Sequence, residues 1–244
     1  MEWIEILGIP GAGKSTLLKN LKSSSIKNDT KETWYAEETV KCGIIKNIKL
    51  GNFQLSNKLL QAKFLSNQKF DEEQKWKELI RIHREGVNSL ELPTEFKFKL
   101  ILFYSNLITK VSKYSNLYLS KPIFLDEGII YNSYSKNIDL QNFIEHNYFF
   151  PKLVVYLEAD VLEVANEIKN SNSFESRGMK SFSLFSPKEI RDYLQKKNSH
   201  TQDKINFLEK ANVPVIKLNR TNSNRINDLI NINQRINEIL NYNI

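Results

Sequence analysis

The sequence predicts an α/β protein: a three-layer α/β/α sandwich around a five-stranded parallel sheet, with helices inserted between the second and third strands. Three observations predict it. A glycine-rich loop, GIPGAGKST at 8–16, sits between a short apolar run and a stretch of helical spacing. Four later short apolar runs recur along the chain. Segments with helical periodicity separate them, the pattern of parallel strands covered on both faces.

The elements follow in order. EWIEIL (2–7) reads as a strand that Gly8 ends, and Leu17, Leu18 and Leu21 give Lys14 to Leu21 a helical stripe. TWYAE (33–37) is the second strand and the weakest in apolar content. PIFLDE (122–127), KLVVYLEA (152–159) and VPVIKLN (213–219) are the remaining three. Residues 38–121 are too many for one crossover helix, and 55–68, 72–90 and 94–118 all show helical periodicity. In the last of these, Leu100, Phe103, Leu107, Val111, Tyr114 and Tyr118 fall in register. The chain therefore reads as a single domain over 1–244, with a helical insert at about 44–120. Closing over a substrate is the role expected of the insert; packing and homodimerisation are the alternatives.

Helix punctuation is explicit downstream. Asp160 and Glu163 begin a helix carrying Val161, Leu162, Val164, Ala165 and Ile168. Ser186, Pro187 and Glu189 supply an N-cap, a proline at the first helical position and an acid at the third. Ile226, Leu229, Ile230, Ile236 and Leu240 mark a closing amphipathic helix.

Composition bounds the function. The net charge is +7, but basic and acidic residues are interspersed without a long basic run, which argues against nucleic acid as the partner. Cys42 is the only cysteine, so no intramolecular disulfide forms, and a reducing cytoplasm is the expected location. Glu2 and Glu5 stand where a signal peptide carries basic residues, and no apolar run has the length of a membrane span.

Gly8-Ile9-Pro10-Gly11-Ala12-Gly13-Lys14-Ser15 fits G-x-x-x-x-G-K-[ST], the phosphate loop that defines the P-loop NTPase fold. Glycines let successive backbone N–H groups turn toward a phosphate, and the following helix adds its N-terminal partial positive charge. Gly8, Gly11, Ala12, Gly13, Lys14, Ser15 and Thr16 are the expected nucleotide contacts. Lys14 reaches the β- and γ-phosphates, and Ser15 ligates Mg²⁺. The strand FLDEG ends in Asp126 and Glu127, at the sheet edge where ligands bind. Asp126 is the expected second metal residue. Glu37, Glu38 and Glu127 are candidates to orient the acceptor and take its proton, with Glu37 preferred. Arg177 lies in a polar, serine-rich stretch that reads as a lid at about 171–186, and would stabilise the transferring group. Arg81 and Arg84, at i and i+3 in RIHREG, are candidates to grip an acceptor, or a solvated helix face. Arg191 is a weaker arginine candidate, and His83 reads as a surface residue.

GIPGAGKSTLLKNL, FLDEG, PKLVVYLEADVLEVANEI, the arginine-bearing stretch and VPVIKLN together resemble the nucleoside and nucleotide kinases of the thymidylate-kinase and deoxynucleoside-kinase kind. The resemblance implies ATP, Mg²⁺, transfer of the γ-phosphoryl group and an arginine lid. Two positions depart from it. Glu37-Glu38 stands where the nucleoside kinases have Glu-Pro, and Asp126-Glu127 where both groups have an acid-Arg pair. The expected function is an ATP-dependent small-molecule kinase acting on a hydroxyl or phosphate acceptor, whether nucleoside, nucleotide or sugar. The rivals are a nucleotide-dependent switch or assembly ATPase and a sulfotransferase. The last strand ends Leu218-Asn219-Arg220-Thr221, which does not match the Asn-Lys-x-Asp of guanine switches.

Overall fold

The structure, a computed structural model, describes residues 2–27, 34–37, 40, 74–115, 119, 121–126, 128–133, 150–170, 185–220 and 226–241. The helix expected at 55–68, the residues Glu38, Cys42, Tyr118, Glu127 and Arg177, and the lid up to 184 lie outside the described residues.

In chain order the elements are β1 (Trp3–Leu7), α1 (Lys14–Lys27), β2 (Tyr35–Ala36), α2 (Gln74–Asn88), α3 (Thr94–Ser115), β3 (Ile123–Leu125), α4 (Ile129–Asn132), β4 (Leu153–Glu158), α5 (Val161–Asn170), α6 (Pro187–Lys210), β5 (Val215–Asn219) and α7 (Ile226–Asn241). The five strands form one parallel sheet in the order β2-β3-β1-β4-β5. Each expected strand is present, shortened at its ends. α2 and α3 fall between β2 and β3 in the chain.

The pattern of burial follows position in the sheet. β1, at the centre, is buried along its whole length. β4 is buried over Leu153–Leu157, consistent with its unbroken apolar run. β5 is an edge strand, where Ile216 is buried while Lys217 and Asn219 face solvent. β2, at the other edge, is only two residues long, as befits a strand with an unpaired side.

Contacts divide the chain into two compact units. The first comprises Met1–Glu5 and Thr33–Lys152. Here β3 pairs with β1 in the register Ile4↔Phe124 and with β2 in the register Ala36↔Phe124. Trp34 meets Phe124 edge-on, with ring centroids 5.0 Å apart. α2 packs on α3. Trp76, Leu79, His83 and Val87 form the buried stripe of α2, at the three- and four-residue spacing of a helix face. His83 is thus in the core, contrary to the surface position expected from sequence. Its ring stacks on Tyr104 at 3.9 Å between centroids and 5° between planes. The buried face of α3 is Tyr104, Leu107, Ile108, Val111 and Tyr114, whereas Phe103, expected inside, is exposed. Residues 100–104 of α3 form an unbroken apolar and aromatic run, LILFY, so within it periodicity alone does not select a face.

The second unit comprises Ile6–Glu32 and Leu153–Ile244. α1 packs on α7, and the Asn233 side-chain amide donates to the Leu21 carbonyl at 3.1 Å. α5 packs on α6. Asp160 caps α5 by accepting from the Glu163 N–H at 2.8 Å. The Ser186–Glu189 capping box closes α6 at its start. At its end Asn212 takes a left-handed φ of 58°. The Val213 N–H then bonds the Leu208 carbonyl and the Asn212 N–H bonds that of Glu209, the Schellman pattern. Among the described residues no helix is long and apolar enough to cross a membrane.

Candidate functional site

In the second unit, the chain leaves β1 through a loop built on three glycines. Gly11 and Gly13 have φ of 82° and 96°, in a region that residues with side chains rarely adopt. At Gly8 the constraint is also spatial, because a Cβ would lie 2.7 Å from the Leu157 carbonyl of β4. A Cβ at Gly11 would press on Val164 and Ile168 of α5 at 3.0 and 3.1 Å, so the loop is seated on that helix. At Gly13 a Cβ would meet nothing within 4 Å, which leaves room beside the backbone there.

The loop runs directly into α1. The Ile9 carbonyl accepts from the Ala12 N–H at 3.2 Å, and the Gly13 carbonyl accepts from Leu17 at 2.9 Å, closing the first helical turn. The N–H groups of that first turn point out of the helix start and favour an anion there. Lys14 is half-buried and folds back over the loop, its Nζ donating to the Gly8 and Ile9 carbonyls at 2.9 and 3.1 Å. Ser15 and Thr16 are exposed. A positively charged amine over a glycine turn at a helix N-terminus has the donor chemistry of a phosphate site, and the Ser15 hydroxyl suits a hard cation.

At the far end of β5, the Arg220 N–H donates to the Glu158 carbonyl at 2.8 Å, and its guanidinium pairs with Glu167 of α5. Arg191, on α6, is exposed.

In the first unit, two carboxylates stand at or beside strand ends. Asp126 follows β3 and is half-buried. Glu37 follows β2 and is 8% exposed. Its Oε1 accepts from the Tyr114 hydroxyl at 2.9 Å and pairs with Lys110 Nζ at 3.0 Å, both on α3. A carboxylate held this way is a fixed hydrogen-bond acceptor.

Glu5 was not singled out as a site residue by its sequence context, because it sits in an otherwise apolar strand. It is fully buried. Its carboxylate accepts from Trp3 Nε1 at 3.1 Å, from the Ile130 N–H at 3.2 Å and from the Tyr131 N–H at 2.5 Å. It thereby caps α4, the short helix that follows the acidic end of β3. Gly128 has extended backbone, so its need for glycine is not conformational. A Cβ there would fall 1.9 Å from Glu5 Cδ. The close approach at Gly128 is therefore to a buried carboxylate of the same unit. The Tyr104 hydroxyl has no hydrogen-bond partner of normal geometry among the described residues. Burial, aided by the nearby Glu5 charge, pushes its pKa well above the usual range, and Ser133 offsets only part of that rise. Only the burial of β1 along its whole length shows that this acid is inside, a placement that requires partners.

Arg81 and Arg84 are exposed on α2. Arg81 pairs with Glu78 and Glu85 of its own helix, and these hydrogen bonds, Glu78 first, raise its pKa above the ordinary range.

No protein family matches the chain, and no curated protein sequence matches it either.

Proposed function

We propose that the protein is an ATP- and Mg²⁺-dependent kinase for a small-molecule acceptor. The observation that carries this reading is the loop of residues 8–14, with left-handed φ at Gly11 and Gly13, a half-buried lysine folded over it and α1 starting at its end. That arrangement supports binding of a nucleotide's phosphates by Gly8, Gly11, Ala12, Gly13, Lys14, Ser15 and Thr16. Ser15 and Asp126 are the residues proposed to hold Mg²⁺, which when bound neutralises charge on the phosphates. Arg177 is proposed to stabilise the transferring group, and Glu127 to share in handling the metal or acceptor.

Glu37 favours a hydroxyl acceptor. A carboxylate repels an incoming phosphate but accepts a hydrogen bond from a hydroxyl. In the proposed step the hydroxyl oxygen bonds to the γ-phosphorus. The bond from that phosphorus to the β–γ bridging oxygen breaks, its electron pair leaving with ADP, and the hydroxyl proton passes to Glu37. Arg81 and Arg84 are proposed contacts for the remainder of the acceptor. The exposed Phe96, Phe98, Leu102 and Phe103 of α3 favour a homodimer, which sedimentation of the wild type against Phe98→Glu tests. Two monomeric results refute the dimer.

The function is tested by ATP consumption with a panel of nucleosides, nucleotides, sugars and alcohols, in the wild type and in Lys14→Ala. Acceptor-stimulated turnover that Lys14→Ala abolishes supports the kinase. Slow hydrolysis indifferent to every acceptor supports a switch or assembly ATPase. Turnover unchanged in Lys14→Ala overturns the loop assignment.

A further inference from the structure

We infer that Lys110 and Tyr114 are positioning residues that hold the Glu37 carboxylate in place for the acceptor; the inference rests on the proposed kinase reading. Three features carry it.

The first is convergence on one atom. Tyr114 Oη and Lys110 Nζ both approach Glu37 Oε1, at 2.9 and 3.0 Å. Residues 110 and 114 are one turn apart on α3, so one helix face supplies both donors. The pairing gives that one oxygen two donors.

The second is the environment of the three groups. Glu37 is 8% exposed and Tyr114 is 1% exposed, while the Lys110 side chain keeps 30% of its surface. A buried carboxylate must be hydrogen-bonded or paired to remain ionised, and charge-assisted bonds are about twice as strong as neutral ones. The other ion pairs on these helices are of a different kind. Arg81 with Glu78 and Glu85, and Lys99 with Glu95, are pairs within one helix that solvent screens. Only the Glu37 pair among them joins a helix to a strand end.

The third is rigidity. α3 is anchored by Tyr104, Leu107, Ile108 and Val111, all buried, so Lys110 and Tyr114 are presented by a packed helix and not by a loop. A proton acceptor in catalysis depends first on geometry, and supporting hydrogen bonds from rigid elements provide it. Stability alone is a poor explanation for the cluster, because buried ion pairs are commonly no more stable than apolar replacements.

The experiment uses the full chain with glutamate carbon-13 labelled at the side-chain carboxyl, and assigns the Glu37 resonance by its loss in Glu37→Gln. Lys110→Met and Tyr114→Phe should each shift that resonance at fixed pH, while Lys99→Met should leave it in place. The probes for turnover are MgATP with water as acceptor and MgATP with the hydroxyl panel. Lys110→Met should lower kcat about ten- to a hundred-fold, the factor expected for one charge-assisted hydrogen bond, with the KM for ATP within about twofold. Lys110→Arg should restore part of that loss. Urea denaturation identifies any variant that fails to fold, and Tyr114→Phe, which keeps the ring, then stands in for it. A resonance that neither substitution moves overturns the inference whatever the protein catalyses. A resonance that moves while turnover does not overturns the positioning role and leaves a structural pair. If the wild type consumes no ATP under any condition, the kinase reading fails and the positioning role falls with it, while the resonance still reports the pairing itself.

Discussion

Glu5 and Gly128 show how a single contact constrains chemistry and stability together. The carboxylate is fully buried yet satisfied by three donors. Replacing Gly128 with alanine places a methyl group where the carboxyl carbon already sits, 1.9 Å away. Gly128→Ala should therefore cost about 1–3 kcal/mol in urea denaturation, the range for overpacking a core. Glu5→Leu should cost at least as much, since it removes the hydrogen bonds that the Glu5 carboxylate accepts from the Trp3 indole and from the Ile130 and Tyr131 N–H groups. A stability equal to wild type for either variant would show that the strand end relaxes freely. Glu5 was hard to read from sequence because an acid in a short apolar run looks like an exposed position. Glu37 was legible as an acid at a strand end, but its partners lie 73 and 77 positions away, and only packing brings them together.

At the scale of elements, legibility tracked the strength of the local signal. β1, β4 and β5 were marked by apolar runs, and α6 by Ser186, Pro187 and Glu189, whose capping box forms as their spacing implies. Ser186→Ala should lower stability by about 1 kcal/mol in thermal or urea melts, and Asn212→Gly should keep or raise it by relieving the left-handed φ at the other end of the helix. On α3, Leu107, Val111 and Tyr114 are buried as their register implies, and the face departs from expectation at Phe103, whose aromatic neighbour Tyr104 is buried instead. The choice between them was made by the His83 ring of α2, itself part of a stripe whose spacing from Leu79 and Val87 was visible. α6 also carries a titrating group. Burial first, then Lys197, Lys204 and Lys196, hold His200 below the usual histidine value of 6.5, opposed by Asp203. Its charged form is thus disfavoured in the folded state. Above 6.5 it contributes nothing, and as pH falls through 6.5 the unfolded chain takes up the proton first and stability drops. His200→Gln should flatten the loss of stability on the acid side of 6.5, measured as urea midpoints at several pH values.

For the whole molecule, the sheet order β2-β3-β1-β4-β5 puts β1, the strand that leads into the glycine loop, at the centre, where it is buried along its whole length. A ligand that binds the folded chain alone stabilises it by mass action, about 2.7 kcal/mol at a concentration of 100 times Kd. MgATP should raise the melting temperature of the wild type and leave that of Lys14→Ala unmoved. Equal shifts in both proteins would place the nucleotide elsewhere. The parallel sheet and the order of its helices were legible because each strand is apolar and short. The helices that follow β2 in the chain were less so, since helical periodicity reports a face and not what that face meets.

The contact between positions 5 and 128 has a genetic corollary. Because the glycine exists to make room for the glutamate, the two sites are not free to vary singly. In a library randomised at both, survivors with any side chain at 128 should be those that have shortened position 5, so that the pair changes hands together. A substitution such as Glu5→Ala, which removes both Cγ and Cδ and is costly alone because it gives up three hydrogen bonds, then becomes permissive for Gly128→Ala. The first strand and the turn after the third are in this sense one inherited unit, although 122 residues of sequence stand between them.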